Sequence, residues 1–267
     1  MNDHKKVWLT LIFFLTLASV ILMVVGFATE NWIISNPVKN STANVTSGET
    51  TTRFTGVITL GLFKGHRSLD YGFGLRSRDL WVVCDAGFGS CIFCNESSTK
   101  TQNKILDTAI ARYKNSSSVK ELIDLGLFNF GLWVSTIVML SLGIVWGMVA
   151  IGFTVYNIFG KPIETVTGEM GLYLWNGLAL NFSLLAVLLY VGLFINDLQV
   201  NLLPEEDILA GFSSKDKTQF DQSFYCVVGA VGGFFINIIL LCVSGQKCWC
   251  SYSHAGEKEI DNGMILY

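Results

Sequence analysis

The sequence predicts a membrane protein that is mainly α-helical, with a four-transmembrane-helix bundle and a small extracellular β-sheet domain. Two observations support this fold class. Of the 267 residues, 51% are hydrophobic and only 15% are charged, whereas a soluble domain usually carries about a quarter charged residues. In addition, four apolar stretches contain no Asp, Glu, Lys or Arg, and each is long enough to cross a hydrocarbon core of about 30 Å as a helix.

These stretches lie at 7–29, within 125–160, at 170–196 and from 222 to about 246. The predicted segments are a cytosolic N-terminus (1–7), the first span (8–29), an extracellular glycosylated loop domain (30–126), the second span (127–156), a cytosolic loop (157–169), the third span (170–195), an extracellular loop (196–222), the fourth span (223–245) and a cytosolic tail (246–267). The first stretch follows Lys5 and Lys6 as in a signal peptide, but it exceeds the usual apolar core of roughly 7–15 residues. We therefore predict a retained anchor.

N-glycosylation sequons set the predicted orientation. Their asparagines, all in the first long loop, are Asn40, Asn44, Asn95 and Asn115. Because glycosylation requires a surface loop on the lumenal side, we predict that both hydrophilic loops are extracellular, that both termini are cytosolic and that the protein reaches the plasma membrane. Lys5 and Lys6 beside the first span agree with this orientation. A fifth sequon begins at Asn181 inside the third span, where no glycosylation is expected.

The first loop is long enough to form a folded domain. Residues 52–63 mix β-branched and aromatic residues with glycine, and residues 80–83 form a short apolar run, so both are predicted strands. In residues 104–113, Ile105, Ala109 and Ile110 share one face of a predicted short helix. We expect this small sheet to rest on the membrane-embedded helices.

Three cysteines lie in the same loop, namely Cys84, Cys91 and Cys94. An oxidising exterior favours a disulfide there. We predict a bond between Cys84 and Cys94, which would close a hairpin-sized loop, and the alternative is a bond between Cys84 and Cys91. A metal site would need a further ligand, and His66 is the one histidine in this loop. We therefore predict no metal and no other cofactor.

Small and polar residues recur in the predicted spans. Gly143-x-x-x-Gly147 and Gly229-x-x-x-Gly233 each place two glycines on one helix face, where they allow close helix packing. We predict that this packing occurs within one chain, with dimerisation as the alternative. Asparagine is costly in lipid unless it is hydrogen-bonded, so most of the asparagines in these spans should face the interior of the bundle. They are Asn129, Asn176, Asn181 and Asn237.

The tail carries two candidate sites. Cys248 and Cys250 follow the fourth span closely and are candidates for palmitoylation, with buried free thiols as the alternative. The chain ends in Ile265-Leu266-Tyr267, which places apolar side chains at the terminus and two residues before it. This spacing suits a PDZ groove, in which a partner adds a strand and the free carboxylate is held by backbone amides.

Several function classes are disfavoured by the sequence. We find no nucleophile elbow, zinc-protease motif, phosphate loop or dinucleotide fingerprint. The three histidines, His4, His66 and His254, fall in segments predicted on different sides of the membrane, so no enzyme is predicted. The net charge of −3 gives no reason to expect a nucleic-acid partner. The spans lack ionisable acids, bases and histidine, which argues against ion-coupled transport.

A tryptophan and two cysteines in the first loop resemble the signature of the claudin superfamily. In that signature a Trp is followed after two residues by a Cys and after a further eight to ten residues by a second Cys. Trp81, Cys84 and Cys94 have this spacing, and Trp32 resembles the earlier Trp of that superfamily. The gap between Trp32 and Trp81 is longer than in claudins themselves.

The chain resembles the clarin family more closely, over most of its length. Residues 156–165 (Tyr-Asn-Ile-Phe-Gly-Lys-Pro-Ile-Glu-Thr), with Gly168 and residues 171–173 (Gly-Leu-Tyr), are similar to the clarin connection between spans two and three. Residues 61–65 (Gly-Leu-Phe-Lys-Gly), 72–76 (Gly-Phe-Gly-Leu-Arg) and the terminal Ile-Leu-Tyr are also clarin-like. Some clarins carry a cysteine where this chain has Tyr71.

The clarin resemblance implies a scaffold or organiser of membrane and actin-linked complexes in sensory cells of hearing and vision. Its expected partners are membrane lipid, other membrane proteins and cytosolic scaffold proteins, including PDZ proteins, and a homo-oligomer is a further expectation. One alternative is a claudin-like adhesion or paracellular barrier protein. Another is an auxiliary subunit of an ion channel.

Overall fold

The computed structural model describes residues 3–45, 48–115, 126–160 and 168–244. In chain order the longer elements are α1 (Asp3–Ala28), β1 (Ile33–Ser35), β2 (Val38–Val45), β3 (Gly48–Leu60), β4 (Lys64–Asp70), β5 (Leu75–Asp85), β6 (Ser90–Cys94), α2 (Thr99–Asn115), β7 (Phe128–Asn129), α3 (Phe130–Phe159), α4 (Glu169–Leu193), α5 (Glu205–Leu209), β8 (Thr218–Phe220) and α6 (Gln222–Val243). A short π-helix, Phe194–Leu198, continues α4.

Four of the helices are long and apolar enough to cross a membrane, as the sequence predicts. The candidate spans are Lys6–Ala28, Phe130–Phe159, Met170–Leu198 and Gln222–Val243. Roughly a third or less of each span's most apolar window is buried against protein. The remaining apolar surface therefore requires lipid around it, and the chain is a multi-pass membrane protein.

The chain forms two compact units, which we name the helix unit and the sheet unit. Among the described residues, the helix unit comprises 3–23, 140–160, 168–184 and 228–244. Part of its core is formed by Leu9 and Ile12 of α1, Leu172 of α4 and Leu241 of α6, all of which are buried. The Trp175 ring is stacked on two aromatic rings of α3, with centroid distances of 5.3 Å to Trp146 and 5.4 Å to Phe153.

The sheet unit comprises the described residues 24–45, 48–115, 126–139 and 185–227. Seven of its eight strands follow the order β7-β6-β5-β4-β3-β1-β8, and the eighth, β2, pairs with the first part of β3. Every pairing is antiparallel. The predicted strands at 52–63 and 80–83 fall largely within β3 and β5, and the predicted helix at 104–113 falls within α2. The sheet is larger than these two predicted strands indicate.

The helix α2 covers one end of this sheet. Leu106, Ala109 and Ile110 of α2 pack with Ile92 and Cys94 of β6 in one buried cluster. Ile105, Ala109 and Ile110 were predicted to share a helix face, and Ile105 packs against the same cluster. Because three or more strands with one apolar face can support a stable sheet when a helix covers it, this packing stabilises the sheet.

Candidate functional site

Trp32 lies between the end of α1 and the start of β1 and contacts the last turn of the helix. Its side chain is fully buried, and its indole Nε1–H donates to the carbonyl oxygen of Gly26 at 2.6 Å. This carbonyl lies in the last turn of α1, where carbonyl groups have no partner within the helix. The Trp32 ring also contacts Tyr190 edge-to-face at 4.5 Å between centroids. Trp32 therefore has a structural role at the end of the helix.

The predicted bond between Cys84 and Cys94 is wrong, because the structure joins Cys84 to Cys91. The turn between β5 and β6 aligns Asp85 with Ser90, so Cys84 lies directly opposite Cys91, with 4.0 Å between their Cα atoms. The same register places Cys94 opposite Trp81, three pairs further along the hairpin. Cross-strand neighbours are within disulfide reach, whereas residues three pairs apart are not.

Cys94 is a buried free thiol. It belongs to the apolar cluster beneath α2, beside Leu106 and Ala109. Burial, with a smaller contribution from the negative charge of Glu206, raises the pKa of the Cys94 thiol to about 11. A thiol in this environment is protonated and unreactive at neutral pH. Cys94 therefore contributes to packing, while its predicted partner, Cys84, is already bonded.

Arg67 and Asp207 form a buried ion pair that sequence reasoning missed. The Arg67 side chain on β4 donates to the Asp207 carboxylate on α5, and the Tyr71 hydroxyl donates to the other oxygen of the same carboxylate. Both Arg67 and Asp207 are buried. The three residues connect the first loop to the second loop, and we name them the Asp207 cluster. One local signal existed, because Arg67 alternates with Gly65 and Leu69 on the buried face of β4.

The tip of the β4–β5 hairpin presents apolar side chains to solvent. Phe73 is 91% exposed and Leu75 is 70% exposed. The backbone around Phe73 is held by Asp70, whose Oδ1 atom accepts from the amides of Gly72 at 2.8 Å and Gly74 at 3.2 Å. Both glycines have positive φ, at 100° and 96°, a region that glycine adopts readily. An aromatic residue on such a constrained tip is suited to contact another protein.

The sequon asparagines lie on several elements of the sheet unit. Asn40 and Asn44 lie on β2, Asn115 is the last residue of α2, and Asn95 directly follows β6. The Asn95 side-chain amide donates to Oε2 of Glu206 at 2.9 Å. Glycosylation at these four positions stays a prediction.

Two asparagines in the helix unit lie in its interior, as predicted. Asn176 and Asn237 are fully buried. The Asn237 amide Nδ2 donates to Oγ1 of Thr16 at 2.9 Å and to Oδ1 of Asn176 at 3.5 Å, and Nδ2 of Asn176 donates to the carbonyl of Leu172 at 2.9 Å. The Nδ2 groups of both amides thus find acceptors inside the bundle, while Oδ1 of Asn237 is buried without a hydrogen-bond partner among the described residues. Asn181 on α4 and Asn129 on β7 are exposed, so two of the four asparagines, and not most of them, face the interior.

The Gly-x-x-x-Gly motifs pack helices within one chain. A Cβ atom on Gly147 of α3 would lie 2.6 Å from Val20 Cγ2 of α1 and 3.1 Å from the Phe234 ring of α6. A Cβ atom on Gly143 would lie 2.9 Å from Met23 Cε, and one on Gly233 would collide with the Ser19 side chain. Each of these glycines therefore allows close helix approach. The prediction of intramolecular packing is confirmed at these positions.

Other predicted sites lie outside the described residues. These are the palmitoylation candidates Cys248 and Cys250 and the terminal Ile265, Leu266 and Tyr267. Part of the clarin-like connection, within 161–167, also lies outside them. Over the described part of the chain, no group of three or more His, Cys, Asp or Glu residues is placed to hold a metal ion.

Comparison with known proteins finds similarity to the clarins. A family model described as Clarin-2-like matches residues 118–241. Clarin-3 of Homo sapiens is 28% identical over 86% of this chain and 81% of its own length. Clarin-2 of Homo sapiens is 25% identical over 90% of this chain and 88% of its own length. Clarin-1 of Homo sapiens is 30% identical, over 42% of this chain and 48% of its own length. The chain is therefore similar to proteins of the clarin family over most of its length.

Proposed function

We propose that this protein is a non-enzymatic scaffold of the plasma membrane that organises other membrane proteins and actin-linked complexes. In this proposal the sheet unit is extracellular and glycosylated, and both termini are cytosolic. The family resemblance further implies sensory cells of hearing and vision. The proposal depends chiefly on one observation, the solvent-exposed Phe73 on a constrained hairpin tip.

The surroundings of Phe73 support a contact role. Every residue from 72 to 79 is exposed, including Arg76 and Arg78. The Asp207 cluster lies in the same hairpin close to its tip, where it connects Arg67 and Tyr71 to the second loop. A partner that binds the tip would therefore meet a preorganised surface and lose little conformational entropy on binding. This arrangement suits stable recognition of another protein.

Proximity labelling tests the scaffold proposal. A labelling enzyme is fused to the N-terminus of the full chain, so that the free C-terminal carboxylate is preserved. Three forms are compared, namely the parent chain, a chain lacking residues 265–267, and Phe73→Ser. We expect the truncation to lose labelled cytosolic scaffold proteins and Phe73→Ser to lose labelled membrane proteins that project outside the cell. Thr59→Ala, a small change on β3, is the control for Phe73→Ser.

An unchanged labelled set in both altered chains would contradict the scaffold proposal. Loss of PDZ-containing proteins on truncation alone would support the tail site at Ile265, Leu266 and Tyr267 and would leave the hairpin tip without a role. The parent chain and the variants must reach the cell surface in equal amounts, which surface biotinylation measures.

The exposed Phe73 is also the observation that favours a second candidate function, adhesion between cells. In a claudin-like barrier, the tip would contact a protein on the opposing membrane. The predicted glycans at Asn40, Asn44, Asn95 and Asn115 would hinder close packing of two membranes, which favours the scaffold. Expression in non-adherent cells separates the two functions. Clustering of cells that depends on Phe73 would favour adhesion, and dispersed cells would favour the scaffold.

A further inference from the structure

Asn181 occupies an unusual position for a polar side chain. It lies halfway along α4, which spans Glu169–Leu193, and it is exposed on the surface of this helix. The candidate span that contains it, Met170–Leu198, is otherwise strongly apolar. Asn181 therefore lies close to the centre of the hydrocarbon core and points away from the interior of the bundle.

Within the described part of the chain, the Asn181 amide makes no hydrogen bond. The other asparagine of α4 differs in this respect. Asn176 is fully buried and donates to the carbonyl of Leu172 at 2.9 Å. The difference arises from helix geometry, because residues five apart project about 140° from one another at 100° per residue. In α4, Asn176 therefore points inward with its amide hydrogen-bonded, and Asn181 points outward with its amide unpaired among the described residues.

The surface around Asn181 is uncovered and allows close approach. Leu174 and Leu184, on the same side of α4, are 48% and 42% exposed. Gly177 lies one helical turn before Asn181, and a Cβ atom on it would have no other atom within 4 Å. A small residue one turn from a polar residue lets a second helix approach closely enough for side-chain hydrogen bonds. All four residues belong to the helix unit.

Lipid does not meet the needs of this amide. An unpaired amide in hydrocarbon carries a desolvation cost of several kcal/mol in transfer measurements. The nearest lipid headgroups lie roughly 15 Å from the bilayer centre, half of the core thickness. The short side chain of asparagine does not reach that far, unlike the long side chains of Lys and Arg. A hydrogen-bonding group from another helix is the remaining source of a partner at this depth.

The hydrogen-bonding groups of the Asn181 amide favour a second copy of the chain as the binding partner. A side-chain amide has both a donor (Nδ2–H) and an acceptor (Oδ1). Two such amides related by a twofold axis therefore satisfy each other, with Nδ2–H of each donating to Oδ1 of the other. A twofold axis along the membrane normal keeps both copies in the same orientation and brings the same helix face of each copy together. The alternative, a different membrane protein, would need its own amide or hydroxyl at the same depth.

We propose that two copies of this protein associate through the exposed face of α4, with Asn181 of each copy hydrogen-bonded to Asn181 of the other and Gly177 allowing the two helices to approach. This inference goes beyond the proposed function, because it assigns a self-association surface within the membrane. It does not require the hairpin tip or the cytosolic tail, and it can fail while the scaffold proposal stands.

The test is the oligomeric state of the full chain in lipid bilayers. Copies labelled with donor and acceptor fluorophores are reconstituted in vesicles at several protein-to-lipid ratios, and energy transfer gives the dimer dissociation constant. Asn181→Leu should raise this constant about tenfold, the weakening expected from lost interhelical hydrogen bonds. Asn181→Gln retains an amide and should dimerise. Val145→Ala, an apolar change on the exposed surface of α3 and outside the proposed face, is the control and should leave the constant unchanged.

Cross-linking gives an independent readout of the contact. In Asn181→Cys, oxidation should produce a covalent dimer above the background that the native cysteines give in the parent chain. The melting temperature of each variant reports whether it is folded. A parent chain that is monomeric at every ratio would overturn the proposal, as would an Asn181→Leu variant that dimerises like the parent. Loss of a different co-purifying membrane protein in Asn181→Leu, without a change in self-association, would overturn the choice of partner.

Discussion

Arg67 on β4 and Asp207 on α5 form a buried ion pair between segments that lie 140 residues apart in the chain. The Tyr71 hydroxyl donates to the same carboxylate. A charge that is buried with its partner is tolerated, whereas a charge left alone in the interior is costly. The Asp207 cluster therefore makes the positions of the first and second loops depend on each other.

Removing one charge from the cluster should destabilise the fold strongly. Asp207→Asn preserves the shape of the side chain but leaves the Arg67 guanidinium buried without a counter-charge. Breaking a buried pair in this way costs about 3–5 kcal/mol. Thermal unfolding of the purified protein in detergent, followed by tryptophan fluorescence, measures the change. Glu206→Gln alters the neighbouring exposed acid and should change the melting temperature little. Equal melting temperatures for the two variants would contradict the role given to the cluster.

The disulfide can be assigned by removing one cysteine at a time. Cys94→Ser should leave the bond between Cys84 and Cys91 intact, because Cys94 lies opposite Trp81 and not opposite either bonded cysteine. Cys91→Ser should abolish the native bond. Mass spectrometry of peptides digested without reduction identifies the linked pair. A Cys84–Cys94 peptide from the unmodified protein would show that the hairpin has a different register.

Cys94 should react slowly with alkylating reagents. Burial, with a smaller contribution from the negative charge of Glu206, raises the pKa of its thiol to about 11. At pH 8 about one molecule in a thousand would then carry the reactive thiolate, compared with about a quarter for an ordinary exposed thiol. Iodoacetamide labelling of the Cys94 peptide should rise about tenfold for each pH unit between 7 and 10. Labelling in denaturant gives the reference rate, and a folded rate equal to it at pH 8 would contradict the burial of this thiol.

The four spans could be predicted from sequence because length and absence of charge are local properties. The disulfide could not, because it depends on which residues face each other across a hairpin. The turn that ends at Gly89, where φ is 76°, aligns Asp85 with Ser90 and so selects Cys91 as the partner of Cys84. The spacing of cysteines along the chain does not determine that strand register.

The Asp207 cluster and Asn181 show a second limit of sequence reasoning. Nothing local connects Arg67 with Asp207, since the contact depends on how the two loops fold together. In the spans, Asn176 and Asn181 have the same residue type and the same apolar neighbourhood in sequence. Only the packing of α4 separates the buried amide from the exposed one. Composition therefore identified the costly residues, while the structure shows which of them are buried and which are exposed.

The predicted topology can be tested through its glycans. If the sheet unit faces the cell exterior, peptide-N-glycosidase should lower the apparent mass of the protein to that of a variant with Asn→Gln at all four predicted positions. These positions are Asn40, Asn44, Asn95 and Asn115. Resistance to endoglycosidase H would indicate that the protein has passed through the Golgi towards the plasma membrane. Asn181→Gln should leave the mass unchanged, because that sequon lies within the membrane. The absence of any mass shift in the parent chain would leave the proposed orientation without support.

Two glycines of α3 provide a matched comparison of helix packing. Gly147 is buried, and a Cβ atom there would lie 2.6 Å from Val20 Cγ2, a short branched side chain with little freedom to move. Gly152 lies on the exposed surface of the same helix, and a Cβ atom there would have no other atom within 4 Å.

Gly147→Ala should therefore lower the melting temperature, because overpacking a tight helix contact typically costs about 1–3 kcal/mol. Gly152→Ala should leave the melting temperature unchanged or raise it, since alanine is the better helix former by about 1 kcal/mol in soluble hosts. The measurement is thermal unfolding of both variants in the same detergent. If Gly147→Ala proved as stable as Gly152→Ala, the close approach of α1 and α3 at this position would be incorrect, and the Gly143-x-x-x-Gly147 motif would be available for contacts between chains.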